Sequence, residues 1–147
     1  MSPNNFAKIQ EAGQKFAESY RILQHSKWEL EKLVDSLPAY IAIKDMQNNY
    51  LRVNKYLADF CHTTPDRMIG TNMLEWFTKL EADKFFRDDK LVLERGIRHS
   101  FVETITNKKD ETRIVRTVKV PYKNENNIII GILLVSLDVE DLVNIPE

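Results

Sequence analysis

The chain has 147 residues, room for one ordinary domain plus an extension but not for two independent domains. Its 43% hydrophobic and 29% charged residues, with only four Gly and five Pro, exclude a disordered or low-complexity chain. Lys plus Arg number 21 against 22 for Asp plus Glu, a net charge of -1 without a basic tract to neutralise a phosphate backbone, so nucleic acid is not expected among its partners.

From residue 5 to residue 36 there is no proline, and Ile9, Phe16, Leu23, Leu30 and Leu37 recur every seven residues. A second row, Phe6, Gly13, Tyr20, Lys27 and Val34, completes an imperfect seam of heptad type. The pattern predicts a long amphipathic helix over residues 1–37, with a parallel homodimer formed through residues 6–37. Pro38 ends it, because the residue before a proline is pushed toward extended geometry.

The period then changes. Residues 40–44 and 50–53 read as short strands around Asp45-Met46-Gln47-Asn48-Asn49, whose asparagines tolerate the positive φ of a hairpin turn. Residues 54–62 read as a short helix carrying Cys61; as the single cysteine it excludes an internal disulfide and fits a reducing compartment. Thr64-Pro65-Asp66 supplies a capping hydroxyl, a proline at the first helical position and an acid near the positive end of the dipole. A short segment over residues 73–78 precedes a longer helix over about residues 81–95, stopped by Gly96.

The last third is strand-like, with residues 101–106, 113–120 and 128–139 separated by polar turns. The final run is apolar at nearly every position, which places it in the middle of the sheet. At ten residues (128–137) it is about half the roughly 20 that span a bilayer as a helix. The N-terminus lacks a hydrophobic signal core, so the expected location is cytoplasmic, without membrane contact. The order predicts an α+β domain: a five-stranded antiparallel sheet with helices on one face, preceded by the long helix.

That order is also the order of the PAS fold, and the resemblance is carried by separate motifs. Lys44-Asp45 followed by Asn49-Tyr50-Leu51-Arg52-Val53-Asn54 resembles the family's first hairpin, with an asparagine opening the next helix. Thr64-Pro65-Asp66-Arg67-Met68-Ile69-Gly70 is similar to the recurrent Ser/Thr-Pro-Glu-Glu-Leu-Ile-Gly. Asp89 with Val92, Leu93 and Gly96 resembles the end of the long helix, and Pro121-Tyr122 before Gly131-Ile132 the last two strands. Asp138-Val139-Glu140 stands where many members carry a signal-relaying Asp-Ile-Thr, with Glu140 departing from the hydroxyl residue. The resemblance implies a PAS domain over residues 38–141, with residues 142–147 as a tail or the start of a linker. It also implies a sensory or dimerisation module upstream of an effector, a histidine kinase or diguanylate cyclase as in a two-component system.

Catalysis by this chain is not expected, since no nucleophile, base and orienter recur at a familiar spacing and there is neither a Cys/His metal set nor a phosphate loop. The candidate ligand contacts are Trp76, Asp89, Arg116 and Asn54. Asp89 falls on the helix face that carries Phe85, Phe86, Val92 and Leu93, where a carboxylate must find donors or take up a proton; a structural role competes with ligand binding. Asn54 suits a helix cap first and a ligand contact second. Trp76 with Phe77 suits core packing, or a small organic ligand or flavin as in flavin-binding members of the family. Arg116 favours a carboxylate ligand if it points inward and is a surface charge if it points outward. Haem is disfavoured, because no histidine lies within residues 81–95. Two other functions stay open: a ligand-free structural dimerisation module, and a small hydrolase or isomerase on a similar shell.

Overall fold

The computed structural model describes residues 2–140. The chain divides into two compact units, with the boundary between Val34 and Asp35. The first consists of the helix α1 (Pro3–Ser36) up to Val34, and no residue of α1 is buried. Polar side-chain contacts four residues apart, the Glu11–Lys15 ion pair and His25–Glu29, lace its surface.

The second unit runs β1 (Ala39–Asp45), β2 (Tyr50–Val53), α2 (Lys55–Phe60), α3 (Pro65–Met68), a 3-10 turn (Met73–Glu75), α4 (Lys79–Arg95), β3 (His99–Thr106), β4 (Thr112–Lys123) and β5 (Ile129–Asp138). The strands form one antiparallel sheet in the order β2-β1-β5-β4-β3, so the apolar final strand lies at its centre. Asn48, Asp110 and Asn127 adopt positive φ in the three hairpin turns, a conformation their short polar side chains accept. Gly131 allows the two central strands to approach: a Cβ there would stand 1.9 Å from the Lys44 carbonyl oxygen.

Local chemistry explains the helices. The Asn54 side chain accepts from Leu57 N–H at the start of α2, Thr78 accepts from Glu81 N–H at the start of α4, and Gly96 ends α4 with φ of 65°. The expected hydroxyl cap at Thr64 is not formed; Pro65 at the first helical position carries that helix start instead.

Register fixes which side chains face the helices. Tyr40 pairs with Ser136, which pairs with Thr117, which pairs with Phe101, so one row of inward side chains crosses four strands. Tyr40, Ala42 and Lys44 on β1 are all buried, as are Val115, Thr117 and Lys119 on β4, consistent with the two-residue period of strands. The core joins Tyr40, Ala42 and Val115 to Leu57, Phe60, Met68, Met73, Phe77 and Phe85 of the helical layer.

Candidate functional site

Between the helical layer and the sheet lies a cavity of about 40 Å3, lined by apolar side chains including Leu57, Phe77, Ile105 and Leu134 and by the polar groups of Lys44, Glu103, Thr117, Lys119 and Ser136. That is room for water or for a few heavy atoms, in a wall that mixes aromatic contact with a small number of placed polar groups.

Beside it sits a buried charge network. Asp89 Oδ2 accepts from Lys44 Nζ at 2.5 Å and Asp89 Oδ1 from Lys119 Nζ at 2.6 Å. Lys44 comes from β1, Lys119 from β4 and Asp89 from α4, and all three are at most 4% exposed. Lys44 also reaches Asn48 Oδ1 and Met73 Sδ, while the Lys119 ammonium lies over the Phe85 and Phe101 rings, a cation–π arrangement. Burial pushes the Asp89 carboxyl up, but the two ammonium groups outweigh it and hold it below the usual carboxylate value. Burial lowers Lys44 to about 8, against the pull of Asp89. Asp89 also borders a second, more open groove of about 450 Å3, together with Asp45, Asn48, Phe86, Lys90 and Ile132.

Two further features complete the site. Glu103, on the inward row of β3, has a buried Oε2 without a hydrogen-bond partner among the described residues, and burial raises its carboxyl above the usual value. At the far end of β5, Asp138 accepts from Tyr40 Oη at 3.0 Å and from Tyr56 Oη at 2.5 Å. Tyr40 lines the cavity and packs against Tyr56 with ring centroids 4.7 Å apart. Burial, and then the bond to Asp138, raise the Tyr40 hydroxyl well above its ordinary value, so it stays a donor.

Of the four residues singled out from sequence, only Asp89 belongs to this constellation. Arg116 is exposed on the opposite face of β4, and does not reach the cavity. Asn54 is buried but spent on the backbone: it accepts from Ile41 and Leu57 N–H and donates to the Ala39 carbonyl. Trp76 donates to Thr71 Oγ1 and packs at the core's edge, outside the cavity lining. Lys44, Lys119 and Glu103 were missed. The signal that finds the two lysines is Asp89 itself, since an acid on an apolar helix face demands cations on the strands it covers.

Residues 34–144 match the sequence profile of the family described as the PAS fold. No curated protein matches the chain. Among solved structures, it is similar to a Vibrio cholera VqmA–ligand–DNA complex, with 20% identity, TM-score 0.69, and coverage of 78% of this chain and 51% of that one. It is similar to a phage VqmA–DPO complex, with 16% identity, TM-score 0.63, and coverage of 82% and 56%. The PAS domain of BvgS from Bordetella pertussis matches with 19% identity, TM-score 0.62, and coverage of 84% and 92%. The chain thus spans about half the length of the VqmA structures it matches.

These matches correct the partners expected from sequence, a kinase or cyclase effector with nucleic acid excluded. The same fold serves in VqmA, a receptor solved with DNA. Net charge does not decide the matter, because the charge of one domain carries no information about nucleic-acid contacts made outside it. The exposed stripe of α1 likewise assigns no partner.

Proposed function

The chain belongs to the PAS-fold family, and from that membership we propose that its second unit detects a small molecule in the cavity between helices and sheet, with no chemistry of its own. One observation carries this reading: a cavity whose wall combines apolar side chains with Lys44 and Lys119, both bound to the buried Asp89 beside it, and with Glu103, whose Oε2 has no donor among the described residues. A core evolved for stability alone gains nothing from these groups, since well-packed apolar residues in place of a buried ion triad are often equally stable or more so. The ligands named for VqmA support the reading by analogy of fold. The path from cavity to output runs through Tyr40, which touches both the cavity and Asp138 at the end of the central strand. A ligand that displaces Tyr40 changes the hold on Asp138, and a difference in contacts of that sort is what lets binding bias a remote segment.

A second reading has one observation in its favour. The cavity is small, so a ligand-free module filled by its own aromatic side chains is the competitor. Native mass spectrometry of the gently isolated chain, with an absorbance scan from 300 to 500 nm and a titration with DPO, separates the two. A species heavier than the chain, or a saturable shift with DPO, is the expected result. The bare mass, a colourless solution and no response to DPO or to extracts of small metabolites favour the second reading.

A further inference from the structure

Glu103 presents a problem that the protein does not solve by itself. Its Oε2 is buried without a donor among the described residues, and an unmet buried acceptor opposes folding, the more so when charged. The two neighbouring cations are committed elsewhere: Lys119 to Asp89 at 2.6 Å, and Lys84 to the Thr104 carbonyl and to Glu81. Glu103 is at the same time one of the residues that line the cavity.

A complementary donor stands nearby. Glu103 pairs with Val115 and Phe101 with Thr117, which makes Glu103 and Thr117 diagonal neighbours on the inward face. Thr117 and Ser136 hydroxyls lie 2.7 Å apart. One donates to the other, and the accepting hydroxyl still has its own proton to place. Both residues line the cavity. On its wall Lys44 and Lys119 stand with Glu103, and both lysines are bound to Asp89.

We infer that Glu103 selects the ligand: the cavity takes a small neutral molecule that gives an N–H or O–H to Glu103 Oε2 and offers an adjacent acceptor to the Thr117–Ser136 hydroxyls. This inference deepens the ligand reading above and rests on it. A molecule lacking the donor leaves the carboxylate unmet and is rejected, the same asymmetry by which a polar site discriminates against an analogue missing one hydroxyl. Pairing with the ligand also favours the ionised carboxylate, against the upward push of burial.

The probes are pyrazole, a five-membered ring with adjacent donor and acceptor, and isoxazole, a ring of the same size without an N–H. Both are titrated into the full chain and followed by amide NMR, with the Glu103 carboxyl carbon as a second readout. Pyrazole is expected to bind roughly tenfold more tightly than isoxazole and to lower the Glu103 titration midpoint. Glu103→Leu removes the acceptor and brings the two probes to within about twofold. Glu103→Gln, which keeps the shape and adds a donor, should raise isoxazole affinity, so a failure of the leucine variant to fold does not end the test. Equal binding of both probes to the wild type, or a pyrazole preference that survives Glu103→Leu, overturns this inference and leaves the cavity reading standing. If neither probe binds, nor any other small molecule, the cavity holds water alone and both readings fall together.

Discussion

Lys44 and Lys119 stand on strands separated by β5, yet their ammonium groups take opposite oxygens of the single Asp89 carboxylate, at 2.5 and 2.6 Å. One helical acid therefore ties α4 to two non-adjacent strands. The balance is a demanding one, because each ion has given up its water and depends on the others.

Removing the acid alone should be severe. Asp89→Ala leaves two buried ammonium groups unpaired and is expected to cost about 3–5 kcal/mol in urea unfolding. The triple variant Lys44→Met, Lys119→Met, Asp89→Leu should recover nearly all of that loss. An Asp89→Ala protein as stable as the wild type, or a triple variant as unstable as the single one, contradicts the network.

Acid should act through the same carboxylate. Asp89 has a lower pKa folded than unfolded, so its contribution is present above the ordinary aspartate value of 3.8 and is lost as pH falls through the lower folded value. Lys44 works at the other end: with a folded value of about 8 against 10.5, the folded chain releases a proton that the unfolded chain keeps, and stability from this group rises between those limits. Urea midpoints across pH should show both limbs, the acidic one flattened in Asp89→Asn and the alkaline one in Lys44→Met.

Asn54 and Arg116 should separate cleanly. Asn54→Ala removes a helix cap and two bonds to β1, for an expected loss of about 2–4 kcal/mol with ligand affinity unchanged in the surviving folded fraction. Arg116→Ala should stay within about 0.5 kcal/mol and leave binding untouched, because the side chain is exposed on the far face. A binding defect in Arg116→Ala would show that the cavity is misplaced.

Tyr40→Phe keeps the ring in the core and deletes the bond to Asp138. The expected stability loss is about 1 kcal/mol. The more telling readout is the Asp138 amide, whose ligand-dependent NMR shift should fade in this variant while cavity affinity changes little. A shift of undiminished size places the relay elsewhere.

Much of the fold was legible because local and global signals agree. The asparagine turn after Asp45, the Gly96 stop and the unbroken apolar run of β5 each point to one structure, and the central place of β5 follows from its pattern. The site was harder to see. On β4 the face carrying Ile114, Val118 and Val120 looks like the core and is the outer one, while the inner face carries Lys119. A lysine alternating with Val115 and Thr117 reads as solvent-facing under any hydropathy rule, and Lys44 behaves likewise after Tyr40 and Ala42. Only the pairing with Asp89, contributed by a segment 45 positions from Lys44 and 30 from Lys119, reverses that assignment. Glu103 left no trace in sequence, because an unmet acceptor is a property of its surroundings.

The most direct test of the account is whether a small molecule touches the inward side chains. Methyl-labelled NMR of the full chain with pyrazole or DPO present should give intermolecular contacts to Leu57, Ile105 and Leu134, with none to the outward Ile114 or Val118. Contacts confined to the outward face, or no contacts to any methyl group at saturating concentrations, would contradict it.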